Sequence, residues 1–316
     1  MAAAKATSID QTRIGRVLAL EREAHGLADS LPDLVLKALR VAVTIAHGLH
    51  GRRRSGPGET FWQFRQYHSN DAARLIDWRR SASSDHLYVR EREWEAAHTV
   101  WLWPDLSPSM EFKSHLAPVT KRERAIVLML AAAELLVRGG ERVALLGLTK
   151  PSASRNTTTR LAEAIAVSAD GSEPHPSLPP ARRLSRHSGV LLISDFLDPV
   201  DSIADRLLEI AADGVTGHLV QVLDPAEETL PYDGRAEFVG VEGTERWVAD
   251  RVETLRSDYR ERLLAHRARL EDLAGKLGWS LLVHHTDRSA AEPLLAIIGR
   301  LQASARSDQL VRGGVA

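Results

Sequence analysis

"HTVWLWPDLSPSM", residues His98–Met110, runs almost without interruption through apolar side chains and then turns abruptly into an acid, two serines and a proline. A short apolar run of this kind suits a strand buried on both faces, because alternation with polar residues appears only where one face meets water. Downstream, the same design repeats. A long apolar helix expected from about Val119 to Arg138 leads to the strand "RVALLGL", and a Thr-rich loop leads to the helix "RLAEAIAVSA". After the Pro-rich linker "GSEPHPSLPPARR" come the strand "GVLLISDF" (Gly189–Phe196), the helix "PVDSIADRLLEIAADG" and the strand "GHLVQVL". Apolar strands separated by helices predict an α/β fold with a doubly wound, mainly parallel sheet.

Residues 225–249 read as a small insertion in which "RAEFVGV" and "ERWVAD" pair as a hairpin. A helix is expected over 250–277. Its stripe, Val252, Leu255, Tyr259, Leu263, His266, Leu270, Leu273 and Leu277, is spaced three and four residues apart and makes His266 a core histidine. The strand "WSLLVHHT" and the helix "AAEPLLAIIGRL" close an α/β domain of residues 98–302, and 303–316 form a loose tail.

Residues 1–97 read as a separate region: an N-terminal helix within "LPDLVLKALRVAVTIAHGLHG", then "FWQFRQYH" and "HLYVREREWE" as two extended arms around a turn-rich segment. Five of the seven tryptophans lie between Trp62 and Trp103, a concentration that predicts a packing seam involving Trp78 and Trp94. Arg65, Arg74, Arg79 and Arg90 alternate with Asp71, Asp77, Asp85, Glu91 and Glu93, which favours mutual ion pairing over a phosphate-binding stripe. His47 and His50 stand three apart but have no acidic companion, so a solvated helix end is expected there.

Composition narrows the chemistry. The 316 residues are 44% hydrophobic, enough for a substantial core, and their net charge of -1 provides no overall field toward nucleic acid or an anionic membrane. With no cysteine, thiolate metal sites, disulfides and a cysteine nucleophile are excluded, and a reducing, cytoplasmic setting is expected. The longest apolar stretch is too short to span a bilayer and carries Glu134. There is no Gly-x-x-x-x-Gly-Lys-Ser/Thr loop for ATP and no Gly-x-Ser-x-Gly elbow; Pro108 separates the two serines that a hydrolase would pair with a histidine such as His115.

In a doubly wound sheet, ligands sit beyond the carboxyl ends of the strands. Two acidic loops fall there: "PDLSPSM", with Asp105, Ser107 and Ser109 at alternate positions, and "ISDFLD", with Ser194, Asp195 and Asp198. Carboxylates with hydroxyls make a hard, all-oxygen donor set suited to Mg²⁺ or Mn²⁺.

"DLSPSM" after a first apolar strand, with "LLISDF" later, resembles the metal-ion-dependent adhesion site of von Willebrand factor type A domains. The preceding "GPGETFWQFRQYHSNDAARLIDWRRSAS" and "LYVRERE" resemble the signature of the domain-of-unknown-function 58 family, whose members carry such a domain and accompany MoxR-type AAA+ ATPases. The family's usual residues correspond to Arg65, Tyr67, Asp71, Arg74, Asp77 and Trp78, while Asn70 and Ser83 depart from its pattern. The resemblance implies metal ligation by Asp105, Ser107, Ser109 and Asp195. Thr159 stands as either the middle ligand of that site or a helix N-cap. It further implies a non-enzymatic, cation-dependent interaction module acting as adaptor for a MoxR-type ATPase; a metal-dependent hydrolase using the same loops is the alternative.

Overall fold

The computed structural model describes residues 36–42, 61–67, 76–82, 84, 86–92, 98–169, 175–186, 188–240 and 246–301. In chain order, helix α1 (residues 36–42) precedes strands β1 (Phe61–Gln66) and β2 (Tyr88–Arg92), between which lies the short helix α2 (Trp78–Ser81). From His98 the elements are β3 (Thr99–Pro104), α3 (Lys121–Arg138), β4 (Arg142–Leu145), α4 (Thr157–Ala169), β5 (Gly189–Ser194), α5 (Val200–Ala211), β6 (Thr216–Leu223) and α6 (Pro225–Thr229). They are followed by β7 (Ala236–Val239), β8 (Arg246–Ala249), α7 (Arg256–Lys276), β9 (Ser280–His285) and α8 (residues 291–301). Residues 49–97 form one compact unit; the other described residues form a second.

The smaller unit is an antiparallel pair, β1 with β2, irregular in register between Phe61 and Gln63. Its turn is closed by side chains. Asp77 caps α2 by accepting the Arg80 N–H at 2.9 Å, and the Ser81 hydroxyl accepts the Tyr88 N–H at 2.9 Å, which ties the helix to the start of β2. Trp78 is 65% exposed, so the expected packing seam does not extend to it: the indole projects from the first turn of a four-residue helix too short to bury it. Asn70, Asp71, Arg74 and Trp94 lie outside the described residues, as do His47, His50 and 303–316.

In the larger unit, five parallel strands are ordered β4-β3-β5-β6-β9. β3 and β5 are buried at every position, as their unbroken apolar sequences require of central strands covered on both faces. On one face Val100, Leu102, Leu191, Ile193, Val220 and Val222 pack with buried residues of α1, α3, α4 and α8. On the other, Trp101, Trp103, Val190, Leu192 and Leu219 pack with α5 and α7. The doubly wound α/β expectation therefore holds, and Trp101 and Trp103 belong to this core.

Local sequence explains the helices. Thr120 and Glu123 form a reciprocal capping box that starts α3. In α5, Val200, Ile203, Leu207 and Ile210 recur at helical spacing and are all buried, each worth on the order of 2 kcal/mol. The expected 250–277 helix begins later, at Arg256: Val252 and Leu255 of its stripe lie in a separate 3₁₀ turn and at the helix cap. They pack beneath the β7–β8 hairpin. Gly217 has a steric reason, since a Cβ there would fall about 2.0 Å from the Trp279 ring. Beyond the edge of the sheet, Ser152 pairs antiparallel with Val143 of β4.

Candidate functional site

Three neighbouring strands are each followed directly by an aspartate: β3 by Asp105, β5 by Asp195 and β6 by Asp224. Each carboxylate accepts the backbone N–H two residues on, from Ser107 at 2.8 Å, Leu197 at 3.2 Å and Ala226 at 2.8 Å. A short acid is the natural residue at such a place, because its side chain supplies the acceptor that the departing chain no longer finds in the ladder. Between β3 and β5 the strand order reverses, since β4 lies to one side of β3 and β5 to the other. That is the switch point at which open α/β sheets present their ligand crevice.

Side chains join the first two acids. The Ser194 hydroxyl donates to Asp105 Oδ2 at 2.7 Å, Ser107 and Ser109 hydroxyls are 3.1 Å apart, and Ser109 donates to Asp195 Oδ2 at 2.8 Å. Asp105, Ser107 and Asp195 are buried. Of the sequence-predicted ligands, Asp105, Ser107, Ser109 and Asp195 are thus brought together, and Thr159 is not part of this hydrogen-bonded set. Because α4 begins at Thr157, Thr159 is an exposed first-turn residue rather than an N-cap. Asp198 accepts instead from Ser177 at 3.1 Å. His266 donates to or accepts nothing in the cluster; its Nε2 is 2.7 Å from the Phe196 carbonyl oxygen, which suits a satisfied, half-buried histidine.

Sequence reading missed Lys121, Asp224 and Glu227. Lys121 Nζ lies 2.9 Å from Asp195 Oδ2 and 2.5 Å from Glu227 Oε1, and its side chain is 1% exposed. Glu227 also closes the capping box of α6 with Asp224, whose carboxylate accepts both the N–H and the hydroxyl of Ser114. The signal for Asp224 was present: "VQVLD" repeats the strand-then-Asp design of "WLWPD" and "LLISD". For Lys121 the signal was a broken rule, since cations are disfavoured at a helix N-terminus and "KRER" opens α3.

Burial pushes the Asp105 carboxyl up to about 7, despite hydrogen bonds from Ser107 and Ser194, and the Asp195 charge adds to the rise. Burial alone would push the Lys121 ammonium down, but the Asp195 and Glu227 carboxylates override it and hold the group above the usual lysine value. Asp105 has no ion-pair partner among the described residues, and two hydroxyls stand beside it. A buried carboxylate left without a cation, in all-oxygen surroundings, fits a hard divalent ion. The protein ligands would be few: no group of three or more His, Cys, Asp or Glu arranged to hold a metal occurs among the described residues.

Residues 63–269, from the first arm strand to α7, match the family model described as protein of unknown function DUF58. The chain belongs to the DUF58 family. This DUF58 chain is also 28% identical over 297 residues to the uncharacterized proteins Rv1480 of Mycobacterium tuberculosis and Mb1516 of Mycobacterium bovis, covering 90% of its own length and 91% of theirs. Among solved structures it is similar to the conserved hypothetical protein BatB of Bacteroides thetaiotaomicron (12% identity, TM-score 0.39). A second is an aerotolerance-related membrane protein of Bacteroides fragilis (14%, 0.40). Each match covers 66% of the DUF58 chain and 100% of the other, at scores too low to bear on its fold or function. No helix among its described residues is long and apolar enough to cross a membrane.

Proposed function

We propose that this DUF58 protein is a non-enzymatic, cation-dependent protein-interaction module of the cytoplasm, with a von Willebrand factor type A-like domain as its working part. The observation that carries this reading is Asp105: a fully buried carboxylate at the switch point of the sheet, with serine hydroxyls beside it and no cation paired to it among the described residues. Asp105, Ser107 and Ser109, with Asp195 alongside, would hold Mg²⁺ or Mn²⁺. Bound there, the ion supplies a positive, open coordination position to which an acidic group of a partner can attach. The partner we assign, from the family resemblance, is a MoxR-type AAA+ ATPase, for which the chain acts as adaptor in assembling or remodelling another complex.

The hydrogen bonding supports a binding role over a hydrolase that would use Ser107 or Ser109 as its nucleophile. Ser109 donates to Asp195, and Ser107 contacts Ser109 and, through its N–H, Asp105; neither hydroxyl has a histidine partner among the described residues to activate it. His115 is exposed.

Thermal melting with Mg²⁺, Mn²⁺ or EDTA tests the reading. At about 100 times its Kd the ion should stabilise the fold by roughly 2.7 kcal/mol. Asp105→Asn should erase that shift while leaving the metal-free protein at least as stable as wild type, because the desolvated charge is removed and the amide oxygen still accepts the Ser107 N–H. A wild-type protein whose melting is the same under all three conditions would refute cation binding.

A further inference from the structure

Lys121 is the first residue of α3, and it extends into the site from a helix end that electrostatically disfavours it. Its ammonium meets Asp195 Oδ2 and Glu227 Oε1, and lies 5.9 Å from the centre of the Phe112 ring. The Asp195 oxygen that receives it is the one that also accepts the Ser109 hydroxyl. A charge this deeply buried persists only when paired, so the lysine is as fixed as a structural ion.

Charge is unevenly shared as a result. One ammonium serves two carboxylates, Asp195 and Glu227, while Asp105 is left to two hydrogen bonds from neutral donors. A divalent ion entering beside Ser107 and Ser109 would share Asp195 with that ammonium and feel its repulsion. We propose that Lys121 is a built-in counter-charge that positions Asp195 and sets the affinity of the site for a divalent cation, keeping it low enough for exchange, with Glu227 restraining the ammonium. This rests on the cation reading of the same site, but makes a separate prediction of sign.

The test is titration of the full chain with Mn²⁺, followed by electron paramagnetic resonance of the free ion, for wild type, Glu227→Gln and the double variant Lys121→Gln/Glu227→Gln. The double variant replaces the Lys121–Glu227 pair with two neutral amides, which keeps the net charge of the site unchanged and leaves Asp195 the Ser109 hydroxyl and the Leu197 N–H as donors; circular dichroism and melting check that the fold is kept. Glu227→Gln alone should weaken Mn²⁺ binding, because it removes a negative charge and leaves the ammonium with Asp195. Adding Lys121→Gln should then tighten it, by about tenfold or more, as expected for removing a like charge at short range in a partly desolvated site. A lysine whose role is only to support the fold predicts no such reversal. Equal or weaker Mn²⁺ binding by the double variant, relative to Glu227→Gln, overturns the proposal, as does absence of binding in both. Should wild type bind no Mn²⁺, the cation reading falls and with it the role of Lys121 in setting an exchangeable affinity. Should wild type bind Mn²⁺ with no gain from the double change, the cation reading stands and the role of Lys121 falls.

Discussion

Single residues in this protein depart from ordinary behaviour in two ways, by carrying charge inside or by giving it up. Lys121, held charged by Asp195 and Glu227, is of the first kind. His284 is of the second: it is 4% exposed, its Nε2 has no hydrogen-bond partner among the described residues, and burial, with Arg124 from α3 and His285 beside it, pushes it down to about 3. A histidine held neutral in the fold but free to take a proton when unfolded contributes nothing above its unfolded value near 6.5. It costs stability as pH falls from there toward 3, by up to about 1.4 kcal/mol per pH unit. His284→Phe should therefore flatten the acid side of the stability curve between pH 6.5 and 4 relative to wild type. Urea denaturation at several pH values, read as the difference between the two proteins, checks it; parallel curves would mean that the histidine protonates freely in the fold.

At the scale of elements, the first turn of α3 bears most on the site. Its basic run "KRER" looks solvated in sequence, yet Lys121 pairs with Asp195 and Glu227, Arg122 with Glu111, and Arg124 donates to the Thr286 carbonyl oxygen at 2.8 Å. The capping box of Thr120 and Glu123 holds that turn in place. Thr120→Ala should cost about 1 kcal/mol in chemical denaturation, the usual worth of an N-cap, and a cost within error of zero would show the turn to be held by its ion pairs alone. Elements of this kind mark the limit of what could be read beforehand. The sheet was legible because β3 and β5 spell out two-sided burial in unbroken apolar runs. Asp105, Ser107, Ser109 and Asp195 were legible because they stand at the ends of those runs. Lys121 and Glu227 were not, since their contacts join residues 106 positions apart, and no local spacing encodes a distance across the fold. The start of α7 was misjudged for a related reason. Val252 and Leu255 continue the apolar stripe, but they do so to fill the hollow beneath the β7–β8 hairpin.

For the molecule as a whole, the placement of acids and the exposure of the smaller unit's residues bear on partner binding. Trp78, read from sequence as a packing residue, exposes most of its surface, so its loss has no cavity to create in the described structure. The carboxyl edge of the sheet is the better candidate for recognition. Purified MoxR-type ATPase should co-elute with this protein in Mg²⁺ and separate from it in EDTA, and Asp105→Ala should behave in Mg²⁺ as wild type does in EDTA; co-elution that ignores both changes would place recognition elsewhere. The Ser152–Val143 pair, finally, has a consequence for how these molecules behave in a crowd. Among the described residues β4 is the outermost strand on its side, and the outward N–H and C=O of Val143 are already taken by Ser152 at 2.9 and 3.0 Å. An extended segment of another chain arriving at that edge finds its template partly occupied, so the sheet is guarded there against runaway intermolecular pairing and aggregation.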